Sequence, residues 1–146
     1  HSERSDLSTR REGRCASPQR ASFRLVTPPD APRAIGPYVQ AVKAGGMLYT
    51  SGQLGIDMAT GRLADGVAAQ AHAAMKNLGA ILRAGGADYE DVVKTTVFLK
   101  DLGDFALVNG IYKEYFSETF PARSCVQVAA LPLGAFVEIE CVAALA

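Results

Sequence analysis

The sequence has 146 residues, 49% of them hydrophobic, and a formal net charge of zero. This length supports one domain with its own core, and this hydrophobic content excludes a chain that is unfolded throughout. No apolar run approaches the roughly 18–20 residues that cross a bilayer, so no membrane segment is expected.

The charges are unevenly distributed along the chain. Residues 1–24 hold six arginines and three acidic residues, which leaves nine basic and twelve acidic residues in the remainder, a net charge of −3. A mildly acidic folded part argues against a nucleic-acid partner. The three cysteines, Cys15, Cys125 and Cys141, have no paired spacing. A reducing compartment, the cytoplasm, is therefore the predicted location.

The first 24 residues are rich in arginine and serine and lack hydrophobic periodicity. We therefore predict a disordered extension over residues 1–24 and one domain over residues 25–146. Three origins of the extension stay open. The first is a remnant of an organelle transit peptide, which would make the location mitochondrial. The second is vector-derived or misassigned sequence, and the third is a basic tail that binds a partner.

An extended, proline-rich arm over residues 27–37 leads into the predicted domain. Beyond it, alternating or β-branched residues indicate strands, and apolar residues at spacings of three and four indicate helices. The strands are expected over residues 38–44, 47–51 and 92–100 and twice within 120–143, and the helices over 67–84 and 102–116.

Turn and cap residues support these boundaries. Gly45-Gly46 predicts a hairpin turn, Asp65 and Asp101 are candidate N-caps, and Gly85-Gly86 ends the first helix. The element order fits an α+β fold, a mixed sheet of five or six strands with both helices packed on one face. The uncovered face of such a sheet favours a homo-oligomer.

Several kinds of catalytic site are excluded by the residues present. The histidines are His1, in the predicted extension, and His72, on the polar side of its helix, where a surface residue is expected. No Cys/His set has zinc spacing, no acidic cluster suggests a hard metal, and no phosphate-binding glycine motif opens a helix. No metal and no other cofactor is therefore expected.

Charged residues on the last two predicted strands are the strongest functional signal. Arg123 lies on one strand, and Glu138 and Glu140 lie on the other. Such charges are costly to bury unless they are paired or used. Arginine binds a carboxylate through two hydrogen bonds and a nearby carboxylate activates water, which suits a small 2-substituted acid as substrate. On spacing alone, an ion pair between Arg123 and Glu138 across the strands is slightly favoured over a functional site.

Five stretches, taken together and in order, resemble the RidA/YjgF family of reactive-intermediate deaminases. They are AIGPYVQAV at 34–42, YTSGQLG at 49–55, VKTTVFLKDLGDFALVN at 93–109, PARSCVQVAALP at 121–132 and VEIE at 137–140. The resemblance implies a chorismate-mutase-like fold and a homotrimeric barrel with a pocket in each cleft between subunits.

The same resemblance implies an activity. Enamine and imine intermediates such as 2-aminoacrylate, 2-iminobutanoate and 2-iminopropanoate would be hydrolysed to 2-keto acids and ammonia without a cofactor, which protects PLP-dependent enzymes. Two other functions stay open for a member of this family: a non-enzymatic chaperone or ligand-binding trimer, and, less favoured, a translation-inhibiting ribonuclease.

The resemblance also implies roles for individual residues. Arg123 would clamp the substrate carboxylate, and Glu138 would position or activate water. The other substrate-binding residues would be Tyr38, Ser51, Gly52, Asn109 and Cys125, with Gln127 as a further wall residue and Glu140 in a structural or interface role. Cys125 is expected to line the pocket and not to act as a nucleophile, because no histidine is placed to activate it.

Overall fold

The structure of the protein is a computed structural model and describes residues 23–146. The strands are β1 (Phe23–Val26), β2 (Ala41–Ala44), β3 (Met47–Thr50), β4 (Gln53–Leu54), β5 (Ile56–Asp57), β6 (Arg62–Leu63), β7 (Val92–Leu99), β8 (Ala122–Gln127) and β9 (Val137–Ala144). The two α-helices are α1 (Gly66–Ala84) and α2 (Phe105–Tyr112). Residues 1–22 of the predicted extension lie outside the described residues, whereas Phe23 and Arg24 belong to β1.

The main sheet has the order β1-β2-β3-β9-β7-β8, and β4 pairs with β9 beyond the end of β3. Its seven strands therefore occupy six positions across the sheet. All pairs are antiparallel except β7 with β8, which is parallel. The predicted mixed α+β sheet is confirmed. The separate two-stranded sheet of β5 and β6 was not predicted, because two-residue strands are too short to show alternation.

Helix α1 provides most of the packing against the sheet. Its buried face includes Met75, Leu78, Ile81 and Leu82, which join the core cluster with the inward residues of β9. The helix ends at Gly85, where the amide of Ala87 donates to the Leu82 carbonyl at 2.8 Å and Gly86 has a φ of +89°. This is a Schellman ending, which places glycine where a left-handed φ is needed. Asp65 takes the predicted N-cap position without a side-chain cap hydrogen bond.

Helix α2 is shorter than the predicted segment over 102–116. Asp101 caps a 3₁₀ turn at Leu102–Asp104 by accepting from the amide of Gly103, and the α-helix follows only from Phe105. A second 3₁₀ turn, Lys113–Tyr115, separates the helix from Phe116. These turns tighten both ends of the segment while Val108 and Tyr112 stay in the core.

The helices pack on one face of the main sheet, as predicted. The buried residues of β9 alternate with half-buried ones, so that Val137, Ile139 and Cys141 face the helices and Glu138 and Glu140 face away. The away-facing side, called here the open face, also carries Tyr49 and Val126, which are 47% and 43% exposed. Neither described helix combines the length and apolar content needed to span a bilayer.

Candidate functional site

Arg123 lies on the helix-covered face of the sheet, at its edge. In the parallel pairing of β7 and β8 it stands beside Thr95, which is fully buried. The Arg123 Nη1 donates to Asn109 Oδ1 at 2.6 Å. Its Cζ lies 4.9 Å from the ring centroid of Tyr112 and 5.5 Å from that of Phe105. Three side chains of α2, spaced so that they share one face of the helix, therefore hold this guanidinium.

The Arg123–Glu138 ion pair that spacing alone slightly favoured is absent from the described residues. The salt bridges within residues 23–146 join His72 to Glu114 and Arg83 to Asp88. The strand register explains this result. Arg123 is paired with Thr95, whereas Glu138 is paired with Phe98, three residues further along β7. Positions three apart on a strand point to opposite faces, so the two charged groups are separated by the sheet.

A surface cavity of about 290 Å³ opens beside the Arg123 guanidinium. Its lining residues are Asn109, Tyr112, Lys113, Phe120, Pro121 and Arg123. Two cations, one amide and apolar surface line this cavity, and the lining contains no carboxylate. An arginine with four N–H donors beyond the one given to Asn109 is suited to a small anionic ligand here.

Cys125 and Gln127 follow Arg123 on the same face of β8. Burial raises the pKa of the Cys125 thiol, and the neighbouring charge of Arg123 opposes that rise only in part. The thiol therefore stays protonated, which agrees with a lining role. Gln127 accepts a hydrogen bond from the amide of Leu102 at 2.9 Å and so anchors the turn that leads into α2.

Glu138 lies on the open face, against a bulge between β3 and β4. Between the pairs Tyr49–Val142 and Gln53–Ile139, the β3–β4 side has three residues and β9 has two, so the β3–β4 side bulges. Gly52 belongs to this bulge, and a Cβ added to it would lie 2.7 Å from the Glu138 carboxyl carbon. Burial raises the pKa of the Glu138 carboxyl, and the nearby Glu140 raises it further.

Ser51 and Tyr38 lie on the Gly52 side of the protein, and neither hydrogen-bonds to Arg123 within residues 23–146. The Ser51 hydroxyl donates to the Val39 carbonyl at 2.6 Å, and its amide donates to the Gln40 carbonyl at 2.8 Å, so it fixes the residues just before β2 to the end of β3. Tyr38 is 45% exposed and its hydroxyl accepts from the amide of Ile35 at 3.3 Å. Tyr38 and Gly52 line one narrow cleft.

The predicted site residues therefore form two groups within one chain. Arg123, Asn109 and Cys125 lie on the helix-covered side, and Glu138 and Gly52 lie on the open side with Ser51 and Tyr38 near them. Neither group holds both the cation and the carboxylate.

His72 makes more side-chain contacts than expected for a surface histidine. Its Nδ1 lies 2.9 Å from the Tyr115 hydroxyl, and its Nε2 lies 3.8 Å from a Glu114 carboxylate oxygen. It lines a larger groove of about 690 Å³ between α1 and the segment that contains β5. Within residues 23–146 no group of three or more histidine, cysteine or acidic residues is arranged to hold a metal ion.

Sequence reasoning missed Tyr112 and Phe105 as supports of Arg123. In the sequence both are aromatic residues within the predicted helix over 102–116, where a place in the apolar face is expected. Tyr112 is buried on that face and also contacts the guanidinium, whereas Phe105 is 41% exposed. The spacing of three residues between Asn109 and Tyr112 was the available signal, because it puts both on the side of α2 that the predicted pocket uses.

Three comparisons relate this chain to known proteins. The sequence model of the family described as Endoribonuclease L-PSP matches residues 28–145. The protein named 2-iminobutanoate/2-iminopropanoate deaminase from Homo sapiens is 54% identical over 121 residues, which cover 82% of this chain and 88% of that protein. The Salmonella typhimurium protein of the same name is 54% identical over 117 residues, which cover 78% and 91%.

A solved structure with the same fold carries a ligand. The crystal structure of E. coli TdcF with bound serine superimposes with a TM-score of 0.81 at 44% sequence identity and covers 84% of this chain and 99% of that chain.

Proposed function

This chain belongs to the RidA/YjgF family of reactive-intermediate deaminases, and from that premise we propose that it hydrolyses 2-imino acids and their enamines to 2-keto acids and ammonia. The proposed substrates are 2-iminobutanoate, 2-iminopropanoate and 2-aminoacrylate. The observation that carries the proposal is a guanidinium held by Asn109 and two aromatic faces beside a cavity with no carboxylate in its lining.

Arg123 is the proposed anchor for the substrate carboxylate. Its fixed plane presents parallel N–H donors that match the two oxygens of a carboxylate. The bound TdcF ligand named above, serine, is itself a small 2-substituted acid, which supports the same ligand class here. In this assignment Asn109 and Cys125 complete the wall beside the anchor.

Glu138 is the proposed proton acceptor. Water adds to the C=N carbon, one of its protons passes to the Glu138 carboxylate, and the C=N electron pair becomes a lone pair on nitrogen, which takes up a proton from solvent. Glu138 then gives its proton to the nitrogen of this carbinolamine, the C–N bond breaks with its electron pair leaving on ammonia, and the hydroxyl proton passes to solvent as the carbonyl of the keto acid forms. The raised pKa of Glu138 suits this task, because a carboxyl group that is poorly stabilised as an anion accepts a proton more readily.

The separation of Arg123 and Glu138 by the sheet leads us to propose a composite site. One subunit supplies Arg123 at the edge of its sheet, and a second copy packed nearby supplies Glu138 and Gly52, with Ser51 and Tyr38, from its open face. A homotrimer with the chorismate-mutase-like barrel arrangement repeats this contact three times and covers the exposed Tyr49 and Val126.

We assign the activity to the domain predicted over residues 25–146, to which β1 adds Phe23 and Arg24, and treat the preceding residues as an extension without a part in it. The cytoplasm is the proposed location, since the described cysteines, Cys125 and Cys141, are both free thiols. A mitochondrial location is the corresponding proposal if the arginine-rich start acts as a transit peptide.

The experiment that tests the activity couples the protein to a threonine dehydratase. The dehydratase releases the enamine of 2-iminobutanoate from threonine, and semicarbazide traps the free intermediate, so that keto-acid formation measures protein-assisted hydrolysis. Wild-type protein is expected to accelerate keto-acid release, and Arg123→Ala to lower kcat/KM at least about a hundredfold, because the charge-assisted hydrogen bonds to the carboxylate are lost.

Arg83→Ala is the matched control. Arg83 lines the larger groove along α1 and pairs with Asp88 at 3.6 Å, and it does not line the cavity beside Arg123. Its removal is expected to leave kcat/KM within about twofold of wild type, since an exposed ion pair contributes little. Keto-acid release no faster than in buffer would exclude the proposed activity, and equal losses in the two arginine variants would exclude Arg123 as the carboxylate anchor.

A further inference from the structure

Tyr112 connects the Arg123 guanidinium to a buried polar group on the neighbouring strand. Its ring lies under the guanidinium, 4.9 Å from Cζ to the centroid, and the residue is 5% exposed. Its hydroxyl oxygen lies 2.7 Å from the hydroxyl oxygen of Thr95, which is fully buried. Thr95 is also the register partner of Arg123 across β7 and β8. Tyr112 therefore hydrogen-bonds to Thr95 and stacks against Arg123, the residue paired with Thr95 on the neighbouring strand.

The Thr95–Tyr112 hydrogen bond fixes the ring at its far end. On the helix-covered face of β7, Thr95 is followed by the apolar Val97 and Leu99, both fully buried. A hydroxyl in such surroundings is costly unless it is hydrogen-bonded, so this contact has a strong reason to persist. Burial raises the pKa of Tyr112, and the neutral phenol keeps its proton for the hydrogen bond with Thr95.

Asn109 and Tyr112 constrain different properties of the guanidinium. The hydrogen bond from Nη1 to Asn109 Oδ1 fixes the position of one nitrogen but leaves the plane free to rotate about that contact. The Tyr112 ring face under Cζ restricts that rotation, because stacking and the cation–π attraction favour a defined arrangement of the two groups. The Phe105 ring is farther away, at 5.5 Å, and 41% exposed, so it restricts the plane less than the closer and buried Tyr112 ring. Together, Asn109 and Tyr112 present a defined pair of N–H donors to a carboxylate.

We propose that Tyr112, anchored by Thr95, is a positioning residue that sets the plane of the Arg123 guanidinium. The proposal rests on the proposed function in one respect, which is that a carboxylate is the ligand of Arg123. Tyr112 itself contacts neither the reacting carbon nor the water in this assignment. Its effect on the reaction passes through Arg123.

The first test needs no substrate. In nitrogen-15 NMR spectra of arginine side chains, a guanidinium held at its face and one nitrogen shows slow rotation and separate N–H signals. We expect this behaviour for Arg123 in wild-type protein and in Phe116→Leu, and averaged signals in Tyr112→Leu. Phe116 is the matched control because its ring packs 4.9 Å from that of Tyr112 in the same buried cluster.

The second test is a comparison of two backgrounds. Tyr112→Leu is expected to lower kcat/KM for 2-iminobutanoate about tenfold, the size of a partly desolvated cation–π contact, chiefly through KM. In an Arg123→Lys background the same change is expected to cost less than about twofold, because an ammonium group has no plane to set. Tyr112→Phe keeps the ring face but loses the hydrogen bond to Thr95, so it is expected to lose about threefold in kcat/KM, between wild type and Tyr112→Leu.

Equal losses from Tyr112→Leu in both backgrounds would overturn the proposal, because a structural defect acts whatever stands at position 123. So would slow rotation of the Arg123 guanidinium in folded Tyr112→Leu. If Tyr112→Leu does not fold, Thr95→Val is the deciding variant, because it removes the hydrogen bond and leaves every ring in place. Averaged Arg123 signals are expected in Thr95→Val, and signals unchanged from wild type would exclude the proposal. If wild-type protein releases no keto acid, the proposed function fails, and the affinity for pyruvate, measured by calorimetry in the same variants, replaces kcat/KM.

Discussion

On the helix-covered face of the sheet Arg123 is held by Asn109, Tyr112 and Phe105, whereas on the open face Glu138 makes no side-chain hydrogen bond within residues 23–146. The guanidinium and the carboxylate need opposite environments. A cation that binds a carboxylate works best when its donors are fixed in advance. A carboxylate that accepts a proton works best when its anion is not stabilised too well.

The supports on the two faces differ accordingly. α2 brings three side chains to Arg123, and a glycine bulge at Gly52 leaves room for the Glu138 carboxyl without binding it. Each face thus prepares one half of the proposed reaction, and the sheet keeps the halves of one chain apart. If one chain suffices for activity, this division between the faces is wrong, and variants confined to one face measure what that face contributes.

The largest expected effect comes from mixing two inactive variants. Arg123→Ala and Glu138→Gln are each expected to lose at least about a hundredfold in kcat/KM. When the two are co-expressed with different tags and the mixed trimers are isolated, roughly a third of the wild-type activity is expected, because in the proposed trimer each mixed assembly places an intact Arg123 beside an intact Glu138 at about one site in three.

The control for this experiment is a mixture of Arg123→Ala with the double variant Arg123→Ala/Glu138→Gln. No site in that mixture has an arginine, so its activity is expected to stay at the level of Arg123→Ala. Mixed trimers of the two single variants that are no more active than this control would place both groups in a single chain and contradict the composite site.

The next effect concerns the open face alone. Gly52→Ala places a methyl group 2.7 Å from the Glu138 carboxyl carbon, so the carboxyl has to move. We expect kcat/KM to fall about ten- to a hundredfold, since a displacement near 1 Å of a catalytic group has effects of this order. Urea denaturation is expected to show a change in stability of no more than about 1 kcal/mol, because the carboxyl is at the end of a flexible side chain.

Gly110→Ala is the matched change on the other face. Gly110 lies in α2 next to Asn109, and nothing lies within 4 Å of an added Cβ. Alanine there is expected to stabilise the helix by about 0.5–1 kcal/mol and to leave kcat/KM within about twofold. A Gly52→Ala enzyme as active as Gly110→Ala would show that the position of the Glu138 carboxyl does not matter.

The sequence predicted the α+β order of elements, the hairpin at Gly45-Gly46 and the end of α1 at Gly85-Gly86, because each depends on local periodicity or on a positive φ. It did not predict the bulge at Gly52, which depends on the pairing of β3 and β4 with a strand about 90 residues later. Local sequence does not encode such a register.

The same limit applies to the candidate site. Alternation placed Arg123 and Cys125 on one face of a strand and Glu138 and Glu140 on one face of another, and the structure has this arrangement. Whether the Arg123 face of β8 and the Glu138 face of β9 lie on the same side of the sheet depends on how both strands pair with β7. Without that pairing, an ion pair between Arg123 and Glu138 could not be told from two groups on opposite sides of a sheet.

The smallest expected effect is the pH dependence that Glu138 contributes. Burial, followed by the charge of Glu140, raises the pKa of Glu138 in the folded protein above its ordinary value of about 4.3. A raised pKa means that folding favours the neutral carboxyl. The stability it contributes is therefore fully present below the ordinary pKa and is lost as the pH rises through the folded value.

Glu138→Gln removes this titration. We expect the free energy of unfolding of the variant, relative to wild type, to increase as the pH rises from 4 to above the folded pKa of Glu138, when urea denaturation is measured at one fixed protein concentration. In Glu140→Gln the neighbouring charge is absent, so Glu138 titrates at a lower pH, and the rising limb of kcat/KM against pH is expected to move in the same direction. If the rising limb of kcat/KM has the same midpoint in Glu140→Gln as in wild type, another group accepts the proton. If the pH dependences of kcat/KM and of the free energy of unfolding both shift to lower pH, Glu138 on the open face takes part in the reaction of the substrate bound at Arg123.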